Sequence, residues 1–223
     1  EKAKQDTLST NKKHNNLEIA LQMSWNSISR NRNAVIQWGL EYYSLNEIPE
    51  YIFQQLRGDS SDEEWTESLR VLMGANLVHV TQNRNAISML LPLKKQFPAL
   101  NKDNTINEIC LSRWSEYIEK ILIAANDWKS DNYLSMHYAV IDLTTQILFI
   151  IEQLLTFGSE QLYGHLNLIV LGMRNYYSFN IRSEEVLKRL IQFYTNNNNL
   201  LLTANMLLVY GDLLSSLGDV DGA

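Results

Sequence analysis

Four histidines, one cysteine and a few carboxylate groups are the residues of this 223-residue chain whose types could carry chemistry. His14, His79, His137 and His165 are the candidate general bases or metal ligands. A helical metal site needs two ligands about one turn apart, as in H-x-x-x-H. None of the four has a His, Cys or Asp at such a spacing. His137 and His165 fall beside apolar helical stripes, where a satisfied core or boundary histidine is expected. Cys110 shares an apolar face with Ile106, Ile109 and Trp114 and is expected as a buried thiol. A single cysteine also excludes an internal disulfide and a multi-cysteine metal site. Asp62-Glu63-Glu64 and Glu184-Glu185 each follow a serine, the pattern of helix N-termini, where carboxylates complement the macrodipole. Glu152 is different, because it interrupts the apolar run Leu143–Leu155. There it could act as a buried acid or base, or it could face outward or pair with a basic residue; the second is expected. No serine lies in a G-x-S-x-G elbow, and none of the nine glycines belongs to a G-x-x-x-x-G-K-[ST] phosphate loop. No catalytic residue, cofactor or metal ligand is therefore expected, and the chain reads as a non-enzyme.

Charge narrows the partners. Residues 1–100 carry eleven Lys+Arg and eleven Asp+Glu, whereas residues 101–223 carry eight and fourteen, which accounts for the net −6. An acidic C-terminal half is a poor surface for nucleic acid or anionic lipid. The polar N-terminus does not resemble a signal peptide. The run Leu143–Leu155, with Gln146, Glu152 and Gln153, reads as too short and too polar to span a bilayer. A soluble cytoplasmic protein with no membrane partner is the expectation.

The elements that must position these residues are mostly helices. Residues 1–16 lack periodicity and read as flexible. Apolar spacing predicts helices at about 16–27 and 33–44, the second rich in aromatics (Trp38, Tyr42, Tyr43). Ile48-Pro49 is expected to open a short helix ending before Gly58, and Ser60-Ser61-Asp62-Glu63-Glu64 to cap another that runs to about Met73. Leu77–Val80 and Ala86–Met89 flank the polar turn Gln82–Asn85 and predict a β-hairpin. Pro92–Asn104 has little pattern and reads as a linker. Beyond it, i, i+3, i+4 spacing predicts helices over 106–122, 136–155, 162–177 and 186–191, and a last one at 200–217. The 136–155 stripe is wide, so that helix should be covered on more than one side. The run Asn196–Asn199 reads as a helix-breaking loop.

Two segments resemble known families. Ala204–Ala223, ANMLLVYGDLLSSLGDVDGA, resembles the first helix and turn of a tetratricopeptide repeat. Small residues Ala204, Gly211 and Ala223 stand where helices approach closely, Leu207, Leu214 and Leu217 form the expected apolar face, and Gly218-Asp219 forms the turn. A repeat of this kind must stack on neighbours, so the chain is expected to be a fragment of a longer helical-array protein. LEIALQMSWNSIS (17–29), IPEYIFQQL (48–56) and EEWTESLRVLMGANLVHVTQNRNAISM (63–89) resemble the winged-helix module that follows the nucleotide-binding core in STAND-type regulatory NTPases, including the NB-ARC group. That resemblance implies a winged-helix-like module at 17–97, then a helical array at 105–223. The core itself is absent from this sequence. The family often has Met-His after the second wing strand, but here Met89 is followed by Leu90 and Leu91, which cannot donate a hydrogen bond to phosphate.

Winged helices often bind DNA, yet the helix that would enter the groove carries Asp62, Glu63, Glu64 and Glu67 against Arg70, and the wing turn offers only Arg84. DNA binding remains the alternative function. The favoured one is a protein-interaction or regulatory segment that recognises a protein or peptide partner, or relays the orientation of other domains of a longer chain. Of the aromatics of the helical half, two or three are expected to be exposed. The projecting face of the tetratricopeptide-like helix would be Asn205, Leu208, Asp212, Ser215 and Ser216, none of them basic, which favours apolar or basic ligands. Apolar surface around Leu213, Leu214 and Leu217 could also pair two copies.

Overall fold

The structure, a computed structural model, describes residues 19–81, 86–89, 91–94, 96–180 and 182–218. His14, the N-terminal segment 1–16, the turn 82–85 with Arg84, Asp219 and Ala223 lie outside them. The chain is mainly helical with a small three-stranded antiparallel sheet. It divides into two compact units, Glu1–Cys110 and Leu111–Ala223.

In unit 1, helix α1 is described over 19–28 and buries Leu21 and Ile28. Helix α2, Arg32–Tyr42, starts at Asn31, whose side chain accepts the Ala34 N–H. Every residue from Ala34 to Glu41 is buried. Trp38 is fully buried, stacks near Trp25 and Phe97, and donates its ring N–H to the Met89 sulfur at 2.8 Å. Gly39 allows this packing: a Cβ there would lie 2.6 Å from Cys110 Sγ and 2.9 Å from Phe97 Cζ. Strand β1, Ile48–Pro49, leads into α3, Glu50–Gln55. Helix α4, Asp62–Gly74, opens with a complete capping box, in which Ser61 and Glu64 each accept the other's backbone N–H. Asn76 then turns the chain with φ 56.

Strands β2, His79–Thr81, and β3, Ala86–Ser88, form the expected hairpin, with Val80 opposite Ile87. The sheet order is β1-β3-β2, with Ile48 opposite Ile87 and Pro49 opposite Ala86. The third strand went unanticipated. It has two residues, one of them a proline, which an edge position tolerates because no ladder N–H is needed there. The supposed linker Pro92–Asn104 instead holds two short helices, α5 (Leu91–Lys94) and α6 (Phe97–Leu100), and Phe97 is fully buried. Helix α7 follows as Asn104–Asn126, and the division between the units falls within it.

Unit 2 is built from the rest of α7, α8 (Tyr133–Phe157), α9 (Glu160–Gly172), α10 (Ser183–Asn196) and α11 (Leu200–Leu217). Helix α8 buries Val140, Thr144, Gln146, Ile147, Leu148, Ile150, Ile151 and Leu154, residues spread round more than one face, as its wide stripe requires. Gly158, with φ 67, ends it. The stripe expected to run from Leu162 to Tyr177 breaks at Gly172 into two 3₁₀ turns, Met173–Asn175 and Tyr177–Phe179. The asparagine run makes the α10–α11 turn: Asn198 takes the left-handed conformation at φ 55, and Asn199 caps α11 by accepting the Leu202 N–H.

Candidate functional site

Helix α11 is the outlier of the fold. Its only charged residue is Asp212, and it is apolar nearly all round. It buries Leu202, Met206, Val209, Leu213 and Leu214, where α10 packs. Leu200, Leu201, Leu207, Leu208 and Leu217 remain exposed, at 51–79%. The expected apolar face of Leu207, Leu214 and Leu217 is thus corrected: only Leu214 is buried. A helix that is leucine-rich on all sides offers no periodicity from which to choose a face.

Of the five projecting residues, Leu208, Asp212, Ser215 and Ser216 are exposed and Asn205 is half-buried. Leu208, Asp212 and Ser215 line a shallow concavity of about 570 Å³ with Ala204, Leu207 and Gly211. Asn205 and Ser216 do not line it, and Ser216 donates its hydroxyl to the Leu213 carbonyl.

Helices α8 and α11 are both long and apolar enough to cross a membrane by length and composition. This corrects the reading of 143–155 as too short, since the enclosing helix has 25 residues. Half of the α8 window is buried inside the unit, but only 28% of the α11 window. The core accounts for the apolarity of α8. It does not account for that of α11.

The residues singled out for chemistry are engaged structurally. Glu152 is buried and pairs with Arg182 at 2.7 Å and Arg189 at 3.7 Å, the basic-partner arrangement. His137 Nδ1 lies 3.0 Å from the Tyr176 hydroxyl, which in turn donates to the Ala125 carbonyl. His79, near Ser88, is exposed. Cys110 is fully buried. Among the described residues no group of three or more His, Cys, Asp or Glu could hold a metal ion. Among the described residues, Trp128 and Tyr138 are the aromatics of the helical half that stand exposed, at 73% and 64%.

One constellation escaped the sequence. His165 on α9 reaches Glu119 Oε1 through Nδ1 (2.7 Å) and Ser112 Oγ through Nε2 (3.2 Å), both on α7. The order Ser–His–Glu has the connectivity of a nucleophilic triad. The setting differs from that of a nucleophile. Ser112 sits inside a helix whose backbone N–H groups are engaged in its own ladder, so none is left to face an oxyanion. Its hydroxyl also donates to Glu116 at 3.1 Å. The cluster works as a polar clamp between α7 and α9. Ser112, Glu116 and Glu119 share a helix face, but the 53-residue separation of Ser112 from His165 left no local signal.

Beside the clamp runs a groove of about 300 Å³, lined by Glu119, Leu122, Ile123, Asn126, Leu168, Leu171 and Gly172. Its floor is tight, with a Cβ on Gly172 only 3.0 Å from Leu122 Cβ. Asn126 pins one end by donating to the Leu122 and Gly172 carbonyls. Ile123, Leu168 and Leu171 stand exposed along the walls.

Unit 1 holds a different feature. Glu41 is 2% exposed, accepts the Met89 N–H at 3.2 Å and lies 3.7 Å from Lys94 Nζ, which also donates to the Ser44 carbonyl. Burial pushes the Glu41 carboxyl up to about 8, with Lys94 opposing the shift, and burial likewise lowers Lys94.

Comparison with protein-family models, curated proteins and solved structures finds no match to this chain.

Proposed function

We propose that this chain is a non-enzymatic protein-interaction segment of a cytoplasmic, STAND-like regulatory protein, and that α11 presents the surface by which it recognises a protein or peptide partner. One observation carries the reading: α11 is apolar nearly all round, yet its Leu200, Leu201, Leu207, Leu208 and Leu217 are exposed. A soluble helix with that composition is normally covered on every side. The occupant of the open face is a partner or another domain of a longer chain. A second copy of this chain is the remaining candidate.

The winged-helix-like reading of 17–97 draws support from the order α1, α2, β1, α3, α4, β2, β3 and from a sheet in which β1 pairs with β3. The tetratricopeptide-like reading of the C-terminal end draws support from the α10–α11 hairpin with its close turn at Asn197–Asn199. The DNA-binding alternative is weakened by the acidic first turn of α4 and by the pairing of Arg70 with Glu67 at 3.1 Å. The test is capture of partners from source-cell lysate on the immobilised chain, with and without nuclease. A protein partner that survives nuclease is the expected result. A signal that nuclease abolishes would replace this reading with nucleic-acid binding.

A further inference from the structure

Helix α11 carries four of its exposed leucines as two ridges with a trough between them. Seven-residue spacing aligns Leu200 with Leu207 on one side and Leu201 with Leu208 on the other, about two helical turns apart. Between the ridges, Ala204 and Gly211 floor the concavity of about 570 Å³. Gly211 sits inside the helix, where glycine costs about 0.5–1 kcal/mol relative to alanine but lets another backbone come close. Leu213 and Leu214, which the sequence offered for pairing two copies, are buried, so a pair must use the ridges instead.

This surface complements itself. In an antiparallel crossing centred between Leu207 and Leu208, Ala204 of each copy faces Gly211 of the other. The small residues let the two backbones close, and the leucine ridges interlock on either side. Asp212, the sole charged residue of the helix, stands at the edge of the trough. The antiparallel sense keeps the two aspartates about 14 Å apart along the axis, beyond a physiological Debye length of about 8 Å. A parallel pair would set them side by side and align the helix dipoles. The four ridge leucines are 51–79% exposed and offer roughly 500 Å² per copy. A symmetric pair would therefore bury about 1,000 Å², the threshold of a specific interface.

From this we infer that α11 recognises a second copy of this chain, in an antiparallel dimer closed by contacts between Ala204 of one copy and Gly211 of the other. The inference rests on the reading of α11 as the recognition face and names the protein recognised. Of the possible occupants, the second copy is the one whose ridges, trough and near-absence of charge match those of α11.

Sedimentation velocity of the full chain, from about 1 to about 200 μM, should show the mass rising from one chain toward two. Ala204→Leu places a helix-favouring side chain at an exposed position and fills the trough. It should weaken the dimer at least about tenfold, although it adds apolar surface; a leucine face that is merely adhesive would associate more strongly. Leu208→Lys should weaken the dimer as much, whereas Ile123→Lys, at an exposed position of α7, should leave it unchanged. Mild oxidation should cross-link Ala204→Cys/Gly211→Cys between copies but not Ala204→Cys alone, since Cys110 is buried. Unchanged far-UV circular dichroism verifies that each variant is folded. A monomer at every concentration, undiminished association of Ala204→Leu, loss of the dimer in Ile123→Lys, or cross-linking of Ala204→Cys alone would each overturn the assignment. A monomeric chain that still captures a nuclease-resistant partner through α11 removes this inference and leaves the interaction reading standing. Partner capture abolished by nuclease removes that reading itself.

Discussion

Helices α2 and α11 treat burial in opposite ways. Helix α2 contains Arg32, Gln37 and Glu41 among its eleven residues, yet everything from Ala34 to Glu41 is buried. Its polar groups are accommodated in part: Gln37 donates to the Trp65 carbonyl at 2.7 Å and Glu41 accepts the Met89 N–H, while Gln37 Oε1 and Glu41 Oε2 are buried without a hydrogen-bond partner. Helix α11 has one charged residue in eighteen and leaves much of its leucine surface bare. Apolarity and burial are therefore separate quantities, set by what packs around a helix and not by its composition alone. Unit 1 has closed over its centre, even around an ionisable carboxyl. Unit 2 has more apolar surface than its own packing uses, and that excess is where we propose a partner binds.

The comparison is broken most severely by opening the core of unit 1. Trp38→Ala removes a fully buried indole and its ring contacts and should cost about 3–5 kcal/mol in denaturant unfolding. A loss under about 1 kcal/mol would show that this centre is not closed.

The buried carboxyl gives the next largest effect. The folded-state value for Glu41, about 8, lies above the ordinary 4.5. Its contribution to stability is therefore complete below about pH 4.5 and is lost as pH rises through about 8. Lys94, lowered by burial, has the opposite sign and regains stability only toward its ordinary 10.5. Between pH 5 and 8 unit 1 should lose roughly 1 kcal/mol per pH unit from Glu41. Glu41→Gln, which still accepts the Met89 N–H, should flatten that slope in chemical denaturation at stepped pH. An unchanged slope would assign it to other groups.

A single substitution type then sharpens the contrast. Gly39→Ala drives a methyl into Cys110 and Phe97 and should destabilise by about 1–3 kcal/mol. Gly164→Ala, on an exposed face of α9 with nothing within 4 Å of the new methyl, should stabilise by about 0.5–1 kcal/mol. Equal signs in thermal melts would contradict the difference in packing. The smallest stability effect belongs to α11: Leu207→Ser with Leu208→Ser should change unfolding free energy by less than about 1 kcal/mol, because both residues are more than half exposed.

Much of the helical scaffold was legible because local periodicity encodes it. The capping box at Ser61 and Glu64, the α8 stripe and the hairpin all follow from short-range patterns. What escaped depends on partners distant in sequence. Strand β1 exists because β3 lies beside Ile48. The stripe at 162–177 breaks where Gly172 meets Leu122, fifty residues earlier. The His165 clamp and the Glu41–Lys94 pair join residues about fifty apart. The face of α11 was misjudged for another reason: Leu207 and Leu214 look alike in sequence, and only the position of α10 separates them. Of the projecting residues read from the sequence, Leu208, Asp212 and Ser215 line the concavity and Asn205 and Ser216 do not.

The central claim is that the bare leucine face of α11 is the recognition surface. Its most direct test is quantitative capture of the nuclease-resistant partner by the wild-type chain and by the Leu207→Ser/Leu208→Ser double variant, at matched folded concentration. The account expects the double variant to retain the wild-type melting curve and to lose at least about nine-tenths of the captured partner. Full retention of the partner by a folded double variant would contradict it.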